Sequence, residues 1–248
     1  MGKKPGDILS CDWNPIIGCE RYSVGCRRCW YLDGIFPWQQ RFGNIPLDVL
    51  SNEHHVFEKR LTVNDLTKKR GGIIGVVQHG DLFWDKVPEG TIARVLDIVD
   101  EVASRKRDGT KYVLWTKRAE RMVSLLVQRY PQGLPDYLAA SVSVENQDCA
   151  DQRLPYLMQL KGTRIIMLEP LLGPVSLKRY LPVEWVVVGS ETGTGAHCID
   201  SAWVSAIRDE VKASGIPFFI KQLGVSHTSQ DRNLDGRAWN EFPSGWTK

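Results

Sequence analysis

The stretch WVVVGSETG, residues 185–193, begins as an apolar run and ends in small and polar residues. A short run of this kind, rich in valine and closed by glycine, is typical of a strand buried on both faces of a parallel sheet. Five further runs of four to seven residues have the same character. They cover residues 73–78, 112–116, 138–144, 164–168 and 217–220.

Segments of helical character separate most of these runs, and they cover residues 90–107, 118–129, 149–160 and 202–214. In the last segment, Val204, Ile207 and Val211 recur at the spacing of one helix face. Alternation of strands and helices predicts βαβ units and a parallel sheet. With a short first strand before or within residues 8–12, the chain predicts six or seven such units.

A closed barrel of this type needs eight units, so we expect an α/β fold that forms a partial, open parallel β/α barrel, similar to an incomplete TIM barrel. Residues 1–248 are expected to form a single domain, with residues 225–248 as an irregular C-terminal extension. The open side of such a barrel could admit a large substrate.

Ionisable or small polar residues follow nearly every predicted strand. The carboxyl ends of parallel strands converge on one rim, where barrels of this kind place their active sites. The polarity of loops explains one or two such ends, but it explains less well an ionisable residue at almost every end. We therefore predict a site at this rim. Its candidate residues are Gly80, Asp81, Lys117, Ser143, Glu145, Glu169, Gly189 and Ser190.

Three cysteines, Cys19, Cys26 and Cys29, lie close together in the run GCERYSVGCRRCWY, separated by six and then two residues. Two interpretations are open. One is a structural zinc site with Cys11 as the fourth ligand, and the other is an iron–sulfur cluster held by three thiolates that leaves one iron open. The spacing favours the cluster, because structural zinc sites usually use two tight cysteine pairs.

The composition is that of an ordinary globular protein, with 42% apolar and 25% charged residues. The net charge of +3 permits an anionic partner but is far from a strongly basic footprint. The first ten residues lack the apolar core of a secretory signal, and no stretch reaches the roughly 18 apolar residues of a membrane span. We expect a cytoplasmic protein without membrane contact, whose cysteines are thiols or metal ligands.

The chain resembles the radical S-adenosylmethionine (SAM) superfamily, and within it the short phage and prophage proteins that open with W-N-P-x-x-G-C-x-x-x-S-x-G-C-x-x-C-aromatic. That opening stands at residues 13–30. The resemblance covers about residues 8–243, although the six-and-two cysteine spacing departs from the three-and-two spacing common in the superfamily. Further matching segments are GDLFWDKVP (80–88), LWTKRAERM (114–122), SVSVENQDCADQRLP (141–155), LEPLLGP (168–174), VVVGSETGTGA (186–196), PFFIKQLG (217–224) and GRAWNEFP (236–243).

The resemblance implies a [4Fe–4S] cluster on Cys19, Cys26 and Cys29, whose open iron binds SAM. One electron, from a donor such as flavodoxin or ferredoxin, then cleaves SAM to a 5′-deoxyadenosyl radical that abstracts hydrogen from the substrate. With this cofactor in place, Asp81 is expected to accept from the SAM ammonium. Lys117 is expected to meet the SAM carboxylate or an anionic substrate.

The other rim residues receive roles by the same reasoning. Gly80 allows close backbone approach, and Ser143 and Glu145 are placed for the ribose hydroxyls. Glu169 is placed to hold substrate or ribose. The remaining expected contacts, to the adenine or over the cluster, come from Trp30, Tyr31, Gly189 and Ser190.

Cys198 and His197 follow a glycine-rich loop and depart from the residues usual in these relatives. A thiol at Cys198 could donate a hydrogen atom to a product radical, and His197 could act as an acid–base group. For Cys198, an inert and partly buried thiol is the simpler interpretation. Cys149, at a helix start, is expected to be a small packed residue.

The favoured hypothesis is a radical SAM enzyme that modifies a nucleotide base of phage DNA in the host cytoplasm, for example an isomerase that rearranges an amino-acid-decorated thymidine. A second hypothesis is a thymine-dimer repair lyase of the spore-photoproduct type, to which a hydrogen donor such as Cys198 would be suited. A third is a non-catalytic, metal-stabilised nucleic-acid-binding module, in which some of the nine tryptophans stack on bases.

Overall fold

The computed structural model describes residues 8–193, 195–226 and 231–246. Its strands and α-helices, in chain order, are β1 (Cys11–Trp13), β2 (Ile16–Ile17), α1 (Phe36–Arg41), β3 (His55–Val56), α2 (Val63–Thr67), β4 (Ile73–Val76), α3 (Glu89–Lys106), β5 (Lys111–Thr116), α4 (Ala119–Arg129), β6 (Leu138–Ser143), α5 (Gln147–Leu157), β7 (Thr163–Leu168), β8 (Trp185–Gly189), α6 (Ser201–Ala213), β9 (Phe218–Gln222), β10 (Asn233–Leu234) and β11 (Arg237–Ala238).

Seven strands form one curled sheet in the order β1-β4-β5-β6-β7-β8-β9, and every neighbouring pair is parallel. With its helices the sheet makes a half-barrel, which confirms the expected partial α/β barrel. For the six later strands of this sheet, the observed limits lie within two residues of the predicted ones. The first strand, expected before or within residues 8–12, lies at Cys11–Trp13. In the described ranges, no helix is both long and apolar enough to cross a bilayer.

Both faces of the sheet are buried, which explains why its strands are continuous apolar runs. Residues such as Ile74, Tyr112 and Val186 pack with the helices in the larger core. Their neighbours in the strands, such as Val113 and Ile165, point into the half-barrel and form a second core there.

The C-terminal segment closes the amino-terminal end of the half-barrel. Phe242 packs on Trp185 and on Phe219, with 5.2 Å between ring centroids in each pair. Trp246 meets the ring of Trp185 at 5.6 Å, and the Trp185 indole donates to the carbonyl of Glu241 at 2.9 Å. We expected an irregular extension here. The segment instead contains the antiparallel pair β10–β11 and completes the inner core, although the predicted range also includes residues outside the described ones.

A long insertion, residues 14–72, separates β1 from its neighbour β4. It contains the antiparallel pair β2–β3 and a small core of its own, which includes Ile17, Phe36 and Ile45. Residues 18–31 of this insertion carry the three clustered cysteines, and we call them the cysteine loop. The loop includes a 3-10 turn at Val24–Cys26 and the start of a π-helix at Trp30–Ile35.

Replacing Phe242 with alanine is expected to lower the free energy of unfolding by about 2 kcal/mol, because the change opens a cavity against Trp185 and Phe219. Urea unfolding followed by tryptophan fluorescence measures this. The control is Phe42→Ala, since Phe42 is 60% exposed and its loss should change stability by no more than about 0.5 kcal/mol. Equal losses for the two variants would show that the C-terminal segment does not support the core.

Candidate active site

A cavity lies at the carboxyl ends of the strands, beneath the cysteine loop, with about 1100 Å³ of empty space including its open mouth. Its position is the one predicted from the polar strand ends. The lining includes all three clustered cysteines and eight other predicted residues: Trp30, Tyr31, Gly80, Asp81, Lys117, Ser143, Glu169 and Ser190. Three predicted residues, Glu145, Gly189 and Cys198, lie outside this lining.

The three cysteines face the cavity together. Burial raises the pKa of the Cys19 thiol to about 12, and the negative charges of Asp81, Cys26 and Cys29 add to this effect. Burial likewise raises the pKa of Cys29. The thiols of Cys19 and Cys29 therefore keep their protons at neutral pH unless a strong positive charge is bound beside them. Within the described ranges, no group of three or more histidine, cysteine, aspartate or glutamate side chains is arranged to hold a metal ion.

Two glycines fix the start of the cysteine loop to the end of β4. Gly18 and Gly80 form an isolated parallel bridge. A Cβ atom on Gly80 would lie 2.7 Å from the carbonyl oxygen of Gly18, and one on Gly18 would lie 2.2 Å from that of Glu53. Gly18 also has a φ of 113°, which favours glycine. Gly80 thus permits a close approach, as expected. The group that approaches it is the backbone of Gly18 and not a cofactor.

Glu145 anchors the middle of the loop, and this corrects the ribose-binding role that we expected for it. Its side chain is completely buried under the loop, where it accepts from the Ser23 hydroxyl at 2.6 Å and from Arg153 at 2.8 Å. The Lys117 ammonium lies 3.5 Å from the same carboxylate. Gly25 packs directly against it, since a Cβ there would lie 2.5 Å from the Glu145 Cγ.

Asp81 lies in the cavity wall, but its carboxylate already has partners. It accepts from the Thr116 hydroxyl at 2.8 Å, from Arg118 Nη1 at 2.9 Å and from the Phe83 amide at 2.9 Å. Its main role is therefore to hold Arg118 in place. With three partners already bound, it has little capacity left to accept from a SAM ammonium.

Arg118 is the main residue that the sequence analysis missed, although it directly follows Lys117 in a segment that we singled out. Its side chain is 4% exposed and lines the cavity. Its Nε and Nη2 groups make no hydrogen bond among the described residues, although Nη2 lies 3.9 Å from the Glu20 carboxylate. Burial alone would lower its pKa, but the charges of Asp81 and Cys19 outweigh burial and raise it. The guanidinium is thus a cation held in place by Asp81, and two of its nitrogen groups make no hydrogen bond within the described residues.

Ion pairs also line the opposite wall. Lys221 donates to both carboxylate oxygens of Glu169, at 2.8 and 3.0 Å. Glu191 lies within 3.4 Å of Arg28 and 3.0 Å of the His197 ring. Because Arg28 lies between Cys26 and Cys29 in the chain, this second group ties the cysteine loop to the loop after β8. Lys221, Glu191 and Arg28 were not among the predicted site residues, although each lies at a strand end or between the cysteines.

Residues 8–243 match a protein family described as "Protein of unknown function (DUF5131)". The chain belongs to the DUF5131 family. The match spans nearly the whole described structure and carries no activity with it. Comparisons with curated proteins and with solved structures give no match.

The remaining cysteines of this DUF5131 protein lie away from the cavity. Cys198 is exposed, so its placement does not suit the predicted transfer of a hydrogen atom inside the cavity. The Cys11 thiol donates to the carbonyl of Arg70 at 3.2 Å and does not line the cavity, which argues against Cys11 as the fourth ligand of a zinc site. Cys149 is buried near the start of α5, as expected. Gly189 lies behind Glu169, where a Cβ would be 3.0 Å from the Glu169 Cγ.

Replacing Gly25 with alanine is expected to displace Glu145 and to cost about 1–3 kcal/mol of stability, because the added methyl group overlaps a buried side chain. Limited proteolysis of the cysteine loop and urea unfolding would detect the change. Gly34→Ala is the matched control, since a Cβ at Gly34 meets nothing within 4 Å. A Gly25→Ala protein as stable and as protease-resistant as the control would contradict the packing described here.

Glu145 also predicts a pH dependence. Burial by itself raises its pKa, but Lys117 and Arg153 outweigh burial and hold the pKa below the usual value. The stabilisation is therefore fully present above the ordinary glutamate pKa of about 4.3, and it is lost as the pH falls through the lower folded-state value.

At pH 7 we expect Glu145→Gln to lower the free energy of unfolding by about 3 kcal/mol, because it leaves the buried Arg153 and the partly buried Lys117 uncompensated. The gap between variant and parent should close in unfolding measurements below pH 4. A gap independent of pH would contradict the assignment. Glu58→Gln, which removes an exposed ion pair with Arg94, is the control and should change little at any pH.

Proposed function

We propose that this DUF5131 protein is a radical SAM enzyme that holds a [4Fe–4S] cluster on Cys19, Cys26 and Cys29 and modifies a nucleotide base. One observation carries the proposal. Three thiols from a single loop line one cavity at the carboxyl end of a parallel half-barrel, where folds of this class perform their chemistry.

The residues present fit such a cofactor. The three thiols line one cavity, and each could bind one iron of a four-iron cluster. The buried donors of Arg118 and the Tyr31 hydroxyl lack hydrogen-bond partners within the described structure and lie in the same cavity. Unpaired buried donors beside thiols support an anionic or thiolate-bearing group between them.

When bound, the cluster supplies the electron that cleaves SAM reductively and so starts radical chemistry. The residues of the chain itself would bind SAM and orient it. Arg118, with its spare N–H groups, is best placed to hold the SAM carboxylate, because Lys117 is engaged with Glu145. Trp30, 44% exposed at the cavity, offers a ring face for the adenine. Met167 and Trp115 line the floor with apolar surface, which excludes water from a radical.

The substrate part of the proposal is supported by the cysteine loop itself. The exposed ring of Tyr22 lines the cavity, and Arg27 and Arg28 are exposed on the same loop. An aromatic ring can stack on a nucleobase, and neighbouring arginines can bind the phosphate of the same nucleotide. We favour modification of phage DNA, such as the rearrangement of an amino-acid-decorated thymidine, with flavodoxin or ferredoxin as electron donor. The lyase alternative is less favoured, since Cys198, its expected hydrogen donor, is not among the residues that line the cavity.

The decisive experiment is anaerobic reconstitution with iron and sulfide, followed by dithionite and SAM and an assay for 5′-deoxyadenosine. The parent protein should become brown and form 5′-deoxyadenosine. Cys26→Ser should lose both properties, because it removes one of three ligands. Cys11→Ser, which changes a thiol outside the cavity, should keep both.

A colourless, folded parent protein that binds zinc and forms no 5′-deoxyadenosine would overturn the proposal. That result would favour the non-catalytic binding module instead. Equal loss in Cys26→Ser and Cys11→Ser would show that the clustered thiols have no special role.

A further inference from the structure

Tyr31 carries a hydroxyl group that the fold does not use. Its side chain is 3% exposed and lines the cavity, and the hydroxyl has no hydrogen-bond partner in the described part of the chain. The ring is held on two sides. It stacks on His79 with 5.4 Å between centroids and an angle of 9°, and it meets the edge of Phe36 at 5.9 Å. The direction of the hydroxyl is therefore set in advance.

An unpaired buried hydroxyl is costly. Leaving such a group without a partner costs about 1–3 kcal/mol, so phenylalanine would serve the packing of this position better than tyrosine. Two other tyrosines, Tyr137 and Tyr180, do have partners. The Tyr137 hydroxyl donates to Asp100 at 2.9 Å, and that of Tyr180 donates to Asp151 at 2.5 Å. Because Tyr31 lines the cavity, a group bound there could supply the partner that its hydroxyl lacks.

Among the groups that line the cavity with Tyr31, the cysteine sulfurs become strong acceptors when they bind a metal. Tyr31 follows Cys29 by two residues and shares the cavity lining with Cys19 and Cys29. The Cys29 sulfur accepts from the Leu32 amide at 3.5 Å, so it lies against the start of the π-helix that carries Tyr31. A protonated thiol is a weak acceptor, whereas a metal-bound thiolate is a good one.

We propose that the Tyr31 hydroxyl donates a hydrogen bond to the metal-bound sulfur of Cys19 or Cys29 and thereby raises the reduction potential of the cluster. A hydrogen bond to a ligand sulfur stabilises the reduced, more negative form of an iron–sulfur cluster more than the oxidised form. Tyr31 is then a positioning residue that tunes how readily the cluster is reduced. This inference rests on the proposed function.

The test compares Tyr31→Phe with Tyr112→Phe. Tyr112 has a buried hydroxyl that also lacks a partner in the described ranges, but it packs among the helices on the other face of the sheet. The midpoint potential of the reconstituted protein is measured without SAM, by a titration monitored by electron paramagnetic resonance. We expect a lower potential and an altered signal for Tyr31→Phe at unchanged iron content, and the parent values for Tyr112→Phe.

The melting temperature of the metal-free proteins gives a second readout. Neither variant should be less stable than the parent, because each loses an unpaired buried hydroxyl. A clear loss of stability in Tyr31→Phe would mean that the hydroxyl already has a partner within the protein, and would overturn the inference.

The remaining outcomes separate this inference from the proposed function. A cluster that forms normally in Tyr31→Phe with the parent potential overturns the inference and leaves the proposed function standing. Unchanged potential together with weaker SAM binding overturns it as well, because the hydroxyl would then bind SAM and not sulfur. A parent protein that takes up no iron overturns both.

Discussion

The buried carboxylate of Glu145 holds the candidate site together. It stands at the end of β6 and receives a hydrogen bond from Ser23 of the cysteine loop, 122 residues earlier in the chain. Arg153 of α5 binds the same carboxylate and also the Ser143 carbonyl, at 2.7 Å. A loop with little regular structure thus gains a fixed attachment to the sheet and to a helix. Since one carboxylate serves two cations, losing it would leave uncompensated charge as well as a detached loop.

Glu145 and three other acidic side chains around the rim each have a basic partner. Asp81 pairs with Arg118, Glu169 with Lys221, and Glu191 with Arg28. The ionisable strand ends are therefore in large part a rigid, internally neutralised frame. Proton-transfer catalysis requires free acids or bases. The paired side chains of this frame are not available for that role. The frame suits a reaction whose reactive group is brought by a bound cofactor and whose protein contribution is orientation and exclusion of water.

The sequence predicted the sheet well because burial on both faces forces each strand to be an apolar run, and it predicted the rim because parallel strands end together. It did not predict which rim groups would pair. Glu145 was expected to bind the ribose because its true partner, Ser23, could not be foreseen. Ser23 lies in an insertion whose sequence has no helical or strand periodicity. Arg118 was overlooked beside Lys117, although only the structure shows which of the two keeps spare donors. The closure by Phe242 depends on single aromatic contacts from a segment that has no helical or strand pattern.

The cysteine loop is fixed at three points that surround the cavity. Gly18 binds it to the end of β4, Ser23 to Glu145 after β6, and Arg28 to Glu191 after β8. Along the chain, Gly18 directly precedes Cys19, Ser23 lies between Cys19 and Cys26, and Arg28 lies between Cys26 and Cys29. Each cysteine is therefore within a few residues of an attachment. The opposite end of the half-barrel is closed by the C-terminal aromatic residues. A group held by the three thiols would consequently stand at a set height above the floor, and the distance from the thiols to the floor would select which atom of a substrate can react.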